Sequence, residues 1–369
     1  SGDVLFCAAD GIQQHRIERR PNDSWSVVVY EPTDGPFLTE NTSPIRLTSS
    51  ALSGSVSIVS SAPLFRPGHV GALFSMTSQG QSVSSDLTAE STYTDPIRVT
   101  GVGEGRRFAI GRHNTWSGTL SLQRSVGEPG AWATVARFTD AASSTYLDEL
   151  DNSEIYYRIG FEAGAYTSGT ATCVLTYAVG SITGTVRITG YNSAKSVDAV
   201  VLKSLGGTSA TEIWAEGAWS DVNGYPQAVT IGDDGRLWWS GGGRNYGSVP
   251  DAFSSFDPNI EGDSAPINRG VGSRASSTSN WMLPLSHILV GTDRGEYSIR
   301  STSFDEPVTP LNYNAKSPST KGSAQIPAIL VDDRGYFVGR NTESVYELTF
   351  DPQSYRYKTQ DMTLLCPEI

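Results

Sequence analysis

The chain has 369 residues and a net charge of −12, with 27 basic residues against 39 acidic ones. That surplus of carboxylates excludes a grip on nucleic-acid phosphates by counterion release, which needs a basic surface. An apolar fraction of 38%, 38 glycines and the lack of any long apolar run exclude a membrane-spanning helix, and point to short strands and tight turns spread over two or three domains.

Only five of the basic residues are Lys; Arg, with its planar and weakly hydrated guanidinium, suits packed interfaces. No basic start followed by an apolar stretch marks a signal peptide. Ser1 and Gly2 run straight into the strand-like Val4-Leu5-Phe6, so both ends are expected to be cuts through a longer protein. Cys7, Cys173 and Cys366 are too scattered for a disulfide framework or a metal site. They are expected to be buried free thiols, as suits folding in a reducing cytoplasm.

The first element, "VLFCAADGIQQHRI" at 4–17, is an apolar strand, an Asp-Gly turn and a second strand. Asp-Gly between β formers predicts a hairpin, because Gly accepts the positive φ that the turn demands. The pattern returns as "AVTIGDDGRLWWSG" at 228–241, "HILVGTDRGEYSIR" at 287–300 and "AILVDDRGYFVGR" at 328–340. In the last two, Asp-Arg-Gly predicts a three-residue loop with Gly left-handed. Repeated hairpins at uneven spacing suggest blades of a β-propeller or stacked antiparallel sheets. The long gap after the first copy predicts an insertion.

Within that gap, "GSVSIVSSAPLF" at 54–65 and "HVGALFSMT" at 69–77 read as strands, with "GTVRITGYNS" at 184–193 and "VDAVVLKSL" at 197–205 as their partners. Nested between them, "PIRVTG", "RRFAIG", "GTLSLQRS", "WATVARF", "EIYYRIGFEA" and "ATCVLTYAV" have the spacing of a β-sandwich. Leu150, six residues before Tyr156, is similar to the tyrosine corner of fibronectin-type sandwiches, with Trp116 and Trp132 as candidate core residues. Helical signals are confined to a turn or two at 209–219 and 249–256. The chain is therefore expected to be all-β.

No nucleophile elbow, metalloprotease helix, phosphate loop or dinucleotide motif occurs. His15, His69, His113 and His287 lack ligand spacing and are expected at the surface or at strand ends. "GDDG" at 232–235 resembles a calcium loop only at its start and is better explained as a turn. Two carboxylate groups, Asp148, Glu149, Asp151 and Glu154 and then Asp257, Glu261 and Asp263, leave a glycosidase open, although both lie in polar loops. In "GRLWWSGGGRNYG" at 235–247, Trp238 and Trp239 point to opposite faces of one strand. With Arg244 and Tyr246 they are candidate subunit-contact residues; a core-plus-edge pair and a sugar platform are the alternatives.

Several long strings carry a resemblance. "GIQQHRIERR" and "SWSVVVYEPTDGPF" between 11 and 37, "ENTSPIRLTSSALSGSVSIVSSAPLFRPGHVGALF" at 40–74 and "WAEGAWSDVNGYPQAVTIGDDGRLWWSGG" at 214–242 come first. "GSVPDAFSSFD" at 247–257, "WMLPLSHILVGTDRGEYSI" at 281–299, "SPSTKGSAQIPAILVDDRGYFVGRNTESVYELTFD" at 317–351 and "DMTLLCPEI" at 361–369 complete them. Together they resemble the tail nozzle, or tail tubular protein B, family of short-tailed bacteriophages.

The resemblance implies a discontinuous propeller-like scaffold at 1–44 and 206–369. A small β domain at 45–92 and 181–205 would interrupt it and carry a nested fibronectin- or immunoglobulin-like sandwich at 93–180. It further implies a non-enzymatic virion protein without cofactor, made in the host cytoplasm and assembled as a hexameric ring of the tail. Expected partners are an adaptor or gatekeeper protein, tail fibres or spikes, and DNA passing through the lumen without sequence-specific binding. Members usually continue past the "TLL" segment with further blades. A β-rich tail protein that binds or degrades host-surface glycan is the alternative.

Overall fold

The structure is a computed structural model. It describes residues 3–21, 23–271, 277–302, 306–317, 319–353 and 356–364. Strands β1 (Val4–Ala9), β2 (Ile12–Arg20) and β3 (Ser24–Val29) form an antiparallel three-stranded sheet. There follow β4 (Leu47–Ser49), β5 (Ser55–Ser60), the 15-residue β6 (Leu73–Leu87), β7 (Thr92–Tyr93) and β8 (Ile97–Val99). Next are β9 (Arg107–His113), β10 (Trp116–Val126), β11 (Ala133–Phe138), β12 (Ser143–Leu147) and β13 (Ile155–Gly169). The 23-residue β14 (Ala171–Ser193), β15 (Ser196–Lys203) and β16 (Trp214–Glu216) close this middle region.

Three four-stranded antiparallel meanders complete the chain. They are β17 (Ala228–Ile231), β18 (Leu237–Gly241), β19 (Arg244–Gly247) and β20 (Ile267–Gly270); β21 (Ser279–Pro284), β22 (Ile288–Thr292), β23 (Gly295–Arg300) and β24 (Asn314–Lys316); and β25 (Ile329–Val331), β26 (Arg334–Val338), β27 (Val345–Asp351) and β28 (Arg356–Asp361). The protein is all-β, as expected, and no sheet closes on itself among the described residues.

The four hairpin sequences form β1–β2, β17–β18, β22–β23 and β25–β26. Gly11 and Gly235 take positive φ at their turns. The two Asp-Arg-Gly loops differ from expectation. Gly295 already pairs with Thr292, and Arg334 with Val331, so each loop has two residues. In the last hairpin Asp332, not Gly335, takes the left-handed φ of 51°; Asp tolerates that region because its short side chain can bond locally.

The inserted strands pair as expected, with Val56 opposite Ala199 and Phe74 opposite Val186. β6 and β14 form one antiparallel ribbon from Leu87–Ala171 to Leu73–Arg187, with a register shift between Tyr177 and Ser181. β14 runs through the boundary expected near 180, while β6 ends at Leu87, short of the one near 93. Its first half is flanked by β9, its second by β15. Facing the first half is the sheet β11-β10-β13, with β7 and β8 on β13. One apolar cluster fills the space between these two sheets: Leu87, Phe108, Ile110, Cys173 and Leu175 meet Leu120, Leu122, Tyr157, Ile159 and Phe161. A separate cluster around Leu47, Ile58, Phe74, Val186 and Trp214 lies under the second half.

The predicted helical turn at 209–219 is instead β16, which pairs with β6 at Trp214–Met76. The sheet edge offers more backbone hydrogen bonds than an isolated helical turn can make. The segment 249–256 is a series of turns, and the short 3₁₀ turns Pro67–His69 and Gly103–Arg106 are the helical elements of the described residues.

In the remaining sheets, period-two alternation sends neighbouring side chains into different cores. Phe6, Tyr30, Trp239 and Tyr246 fill a cluster between the β1–β3 sheet and the β17–β20 sheet. Trp238, Ile288, Val290 and Tyr297 fill the next, and Trp281, Leu289, Phe337 and Leu348 the one after. The four sheets thus stand in a row, with β17 neighbouring both β1 and β21.

Candidate assembly surfaces

Trp238 and Trp239 do point to opposite faces of β18, but both faces are covered by this chain and both side chains are 0% exposed. Tyr246 is also buried, while Arg244 is half-buried and donates from Nε to Asn268 Oδ1 at 2.8 Å. The packing of the two indoles is therefore accounted for within the molecule.

An apolar face that the chain does not cover lies on the β1–β3 sheet. The register sets Leu5, Ile17 and Val27 in one row across the three strands, with Arg19 and Trp25 in a neighbouring row. Phe6, on the opposite face, enters the core. Leu5 is 60% exposed, Trp25 59% and Val27 67%. Beside them Cys7 is half-buried, unlike the fully buried Cys173; Cys366 lies outside the described residues. At the other end of the row β25 exposes Ile329, Leu330 and Val331. Clustered exposed apolar residues at the end of a stack of sheets mark a packing surface.

A polar joint ties the nested two-sheet unit to the row. Lys203 Nζ lies 2.5 Å from Asp257 Oδ2 and 3.2 Å from Glu154 Oε2. Burial works against its charge, but the carboxylates of Asp257 and then Glu154 outweigh it and hold the ammonium above its usual range. Arg98, buried, donates to the carbonyls of Ser204 and Thr183 at 2.7 and 2.9 Å. Asn152 and Glu261 exchange two hydrogen bonds, at 3.1 and 2.9 Å. The two acidic groups open to a glycosidase reading, one with Glu154 and the other with Asp257, Glu261 and Asp263, are joined here by Lys203, a residue the sequence did not single out, which pairs with one carboxylate from each.

The expected tyrosine corner, a hydroxyl tied back to an upstream backbone group, is not made by Tyr156 or by its neighbour Tyr157, both of which bond side-chain carboxylates. Tyr156 faces away from the core and donates to Glu154 Oε1 at 2.7 Å. Tyr157 enters it and donates to Asp148, which also accepts from Arg106 Nε at 2.9 Å and Nη2 at 2.7 Å. Arg106 and Asp148 are both fully buried, and Arg106 Nη1 donates to Gly101 and Ser153 carbonyls. Trp116 packs against the core beside Phe161. Trp132 does not; it stacks on the outer face, where the Arg158 guanidinium lies 4.2 Å from its ring and 3.9 Å from that of Tyr93. Of the histidines, His69 departs from expectation: it is buried, 3.0 Å from Glu216 Oε1.

Among the described residues no three His, Cys, Asp or Glu side chains converge as metal ligands would. A cleft of about 580 Å³ runs between β6 and the 256–268 segment and is lined by Phe37, Gln79, Thr183, Phe256 and Ile260. No helix of the described residues is long and apolar enough to cross a membrane. No protein-family model matches the chain, and no curated protein sequence matches it.

Proposed function

We propose that the chain is a structural component of a bacteriophage tail, a nozzle or tube protein that forms a ring around the passage of DNA. The observation that carries this reading is the row of meander sheets ending in an uncovered apolar face at Leu5, Trp25 and Val27. In this reading the row is an arc of a β-propeller, each meander a blade packed face to face on the next. The nested two-sheet unit is a fibronectin- or immunoglobulin-like sandwich carried on its side.

A hexamer held to an adaptor ring, with fibres or spikes outside and an acidic lumen repelling DNA, completes the proposal. The ion pairs of three of the acidic residues favour a non-enzymatic reading: Asp148 pairs with Arg106, and Glu154 and Asp257 with Lys203. The test is electron microscopy and sedimentation of the chain with adaptor rings. Sixfold rings that weaken in Leu5→Ser/Val27→Ser support the proposal; a strict monomer that never joins adaptor rings overturns it.

A further inference from the structure

The β17–β20 and β21–β24 sheets have both faces packed on neighbours, whereas the first and last sheets of the row each have one face outside any joint. On the last sheet Phe337, Leu348 and Tyr357 enter the joint. Pairing sets Ile329 beside Tyr336 and Glu347, Val331 beside Arg334, and Val338 beside Val345. Period-two alternation turns all of these to the opposite, outer face. Ile329 and Val331 are exposed there, and Val338 and Val345 are half-buried. This face is the counterpart of the one that carries Leu5, Trp25 and Val27 at the first end.

Both ends expose apolar residues, but their outermost charges differ. At the first end Arg19 lies between Asp3, at 3.8 Å, and Asp23, at 3.0 Å, so the triad carries one net negative charge. The Asp3 and Asp23 side chains are 59% and 90% exposed. At the last end the carboxylates are the inner partners. Arg334 Nη1 lies 2.7 Å from Glu347 Oε1 and Lys358 Nζ 2.5 Å from Asp351 Oδ2, both carboxylates being largely covered. The two cations stand outermost, 55% and 70% exposed.

We infer that the outer face of the β1–β3 sheet docks on the outer face of the β25–β28 sheet of a second copy of this chain. Two like faces would bring like charges together, whereas the first against the last brings opposite ones, which favours the heterologous pairing. Sheet on sheet is already how the row is built, so the next copy continues it with the same kind of contact. Contacts between two different faces generate rings when the rotation closes. The inference rests on the ring reading and names the contact that builds the ring.

The test is sedimentation velocity on the full chain and two variants, with melting curves to confirm that each folds. Val27→Glu and Val331→Glu each place a carboxylate on one exposed end face, away from the apolar clusters. The wild-type chain at about 100 μM should associate. Each variant alone should associate about a hundredfold more weakly, because every first-to-last contact then buries an unpaired charge. Mixed in equal amounts, the two variants should form dimers and nothing larger, since one intact first face and one intact last face remain between them. A monomeric wild type, or a mixture that stays monomeric, overturns the inference. So does a single variant that associates as the wild type does, which is the mark of like faces pairing. Sixfold rings on the adaptor without mixed dimers would discard this contact and keep the ring; mixed dimers without a sixfold ring would do the reverse.

Discussion

In the nested unit, two sheets close over a single apolar cluster to which six strands contribute buried residues. The row of meanders divides its apolar residues among three smaller clusters, one between each pair of neighbouring sheets. The nested unit is finished: both sheets spend their apolar faces on each other, and its outer face is polar, with Arg158 clamped between Tyr93 and Trp132. The row is additive. Each sheet has two apolar faces, so its ends remain open wherever a neighbour is missing, as at Leu5 and Val27. Stability in the first is concentrated, and in the second it is distributed over nearest neighbours, as in stacked repeats.

The largest expected effect tests the concentrated core. Asp148→Ala leaves the Arg106 guanidinium buried without its carboxylate and should cost about 3–5 kcal/mol. Hydrogen exchange should rise across β9, β10 and β13 and stay unchanged in β21–β28. Loss of protection in the row as well would break the distinction between the two regions.

Next, Leu289→Ala should cost about 2–5 kcal/mol by opening a cavity between the second and third meanders. Its neighbours Ile288 and Val290 face the other cluster. Denaturant unfolding should therefore show the third meander loosening before the first sheet does. Equal loosening of all four sheets would mean that the row behaves as one body.

Lys203→Met removes the ammonium that links the two regions and should cost about 1.5–3 kcal/mol, the range for hydrogen bonds to charged groups. Protection at Glu154–Tyr157 should fall, and the salt dependence of the joint should weaken. Unchanged protection in the variant would show that the Asn152–Glu261 pair holds the joint alone.

The smallest effect is in pH dependence, where the two regions should differ in sign. Burial holds the Asp34 carboxyl above its ordinary value of 3.8, against bonds from Phe256 and Ser255. Its contribution is therefore present below 3.8 and lost as pH rises through the raised folded value. Glu162, on the nested unit, is held below its ordinary 4.5 chiefly by the Thr134 hydroxyl. Its contribution is present above 4.5 and lost as pH falls through the depressed folded value. Acid titrations of Asp34→Asn and Glu162→Gln should remove slopes of opposite sign; slopes of the same sign would contradict both assignments.

Much of the strand framework was legible because turn chemistry and period-two patterning are local. Asp10-Gly11 and the later hairpins announced themselves, and the spacing of short runs such as "RRFAIG" placed β9 as a strand. Patterning fails where two adjacent residues compete for one face: Tyr156 and Tyr157 differ only in register, and the β13–β10 pairing decides which enters the core. It also cannot see a charge brought in from another strand, so Glu154 and Asp257 read as members of two separate open acidic groups, although Lys203 stands between them.

The ribbon of β6 and β14 has a mechanical meaning. Tension applied along it, from the tip of the nested unit towards the row, loads its hydrogen bonds in shear, so that many must fail together. The same ribbon pulled apart sideways from the Leu87–Ala171 end opens one pair at a time, up to the shift between Tyr177 and Ser181. The nested unit is thus a stiff lever along one axis and a zipper along the other, and a force reaching it is passed to the small β region through continuous backbone.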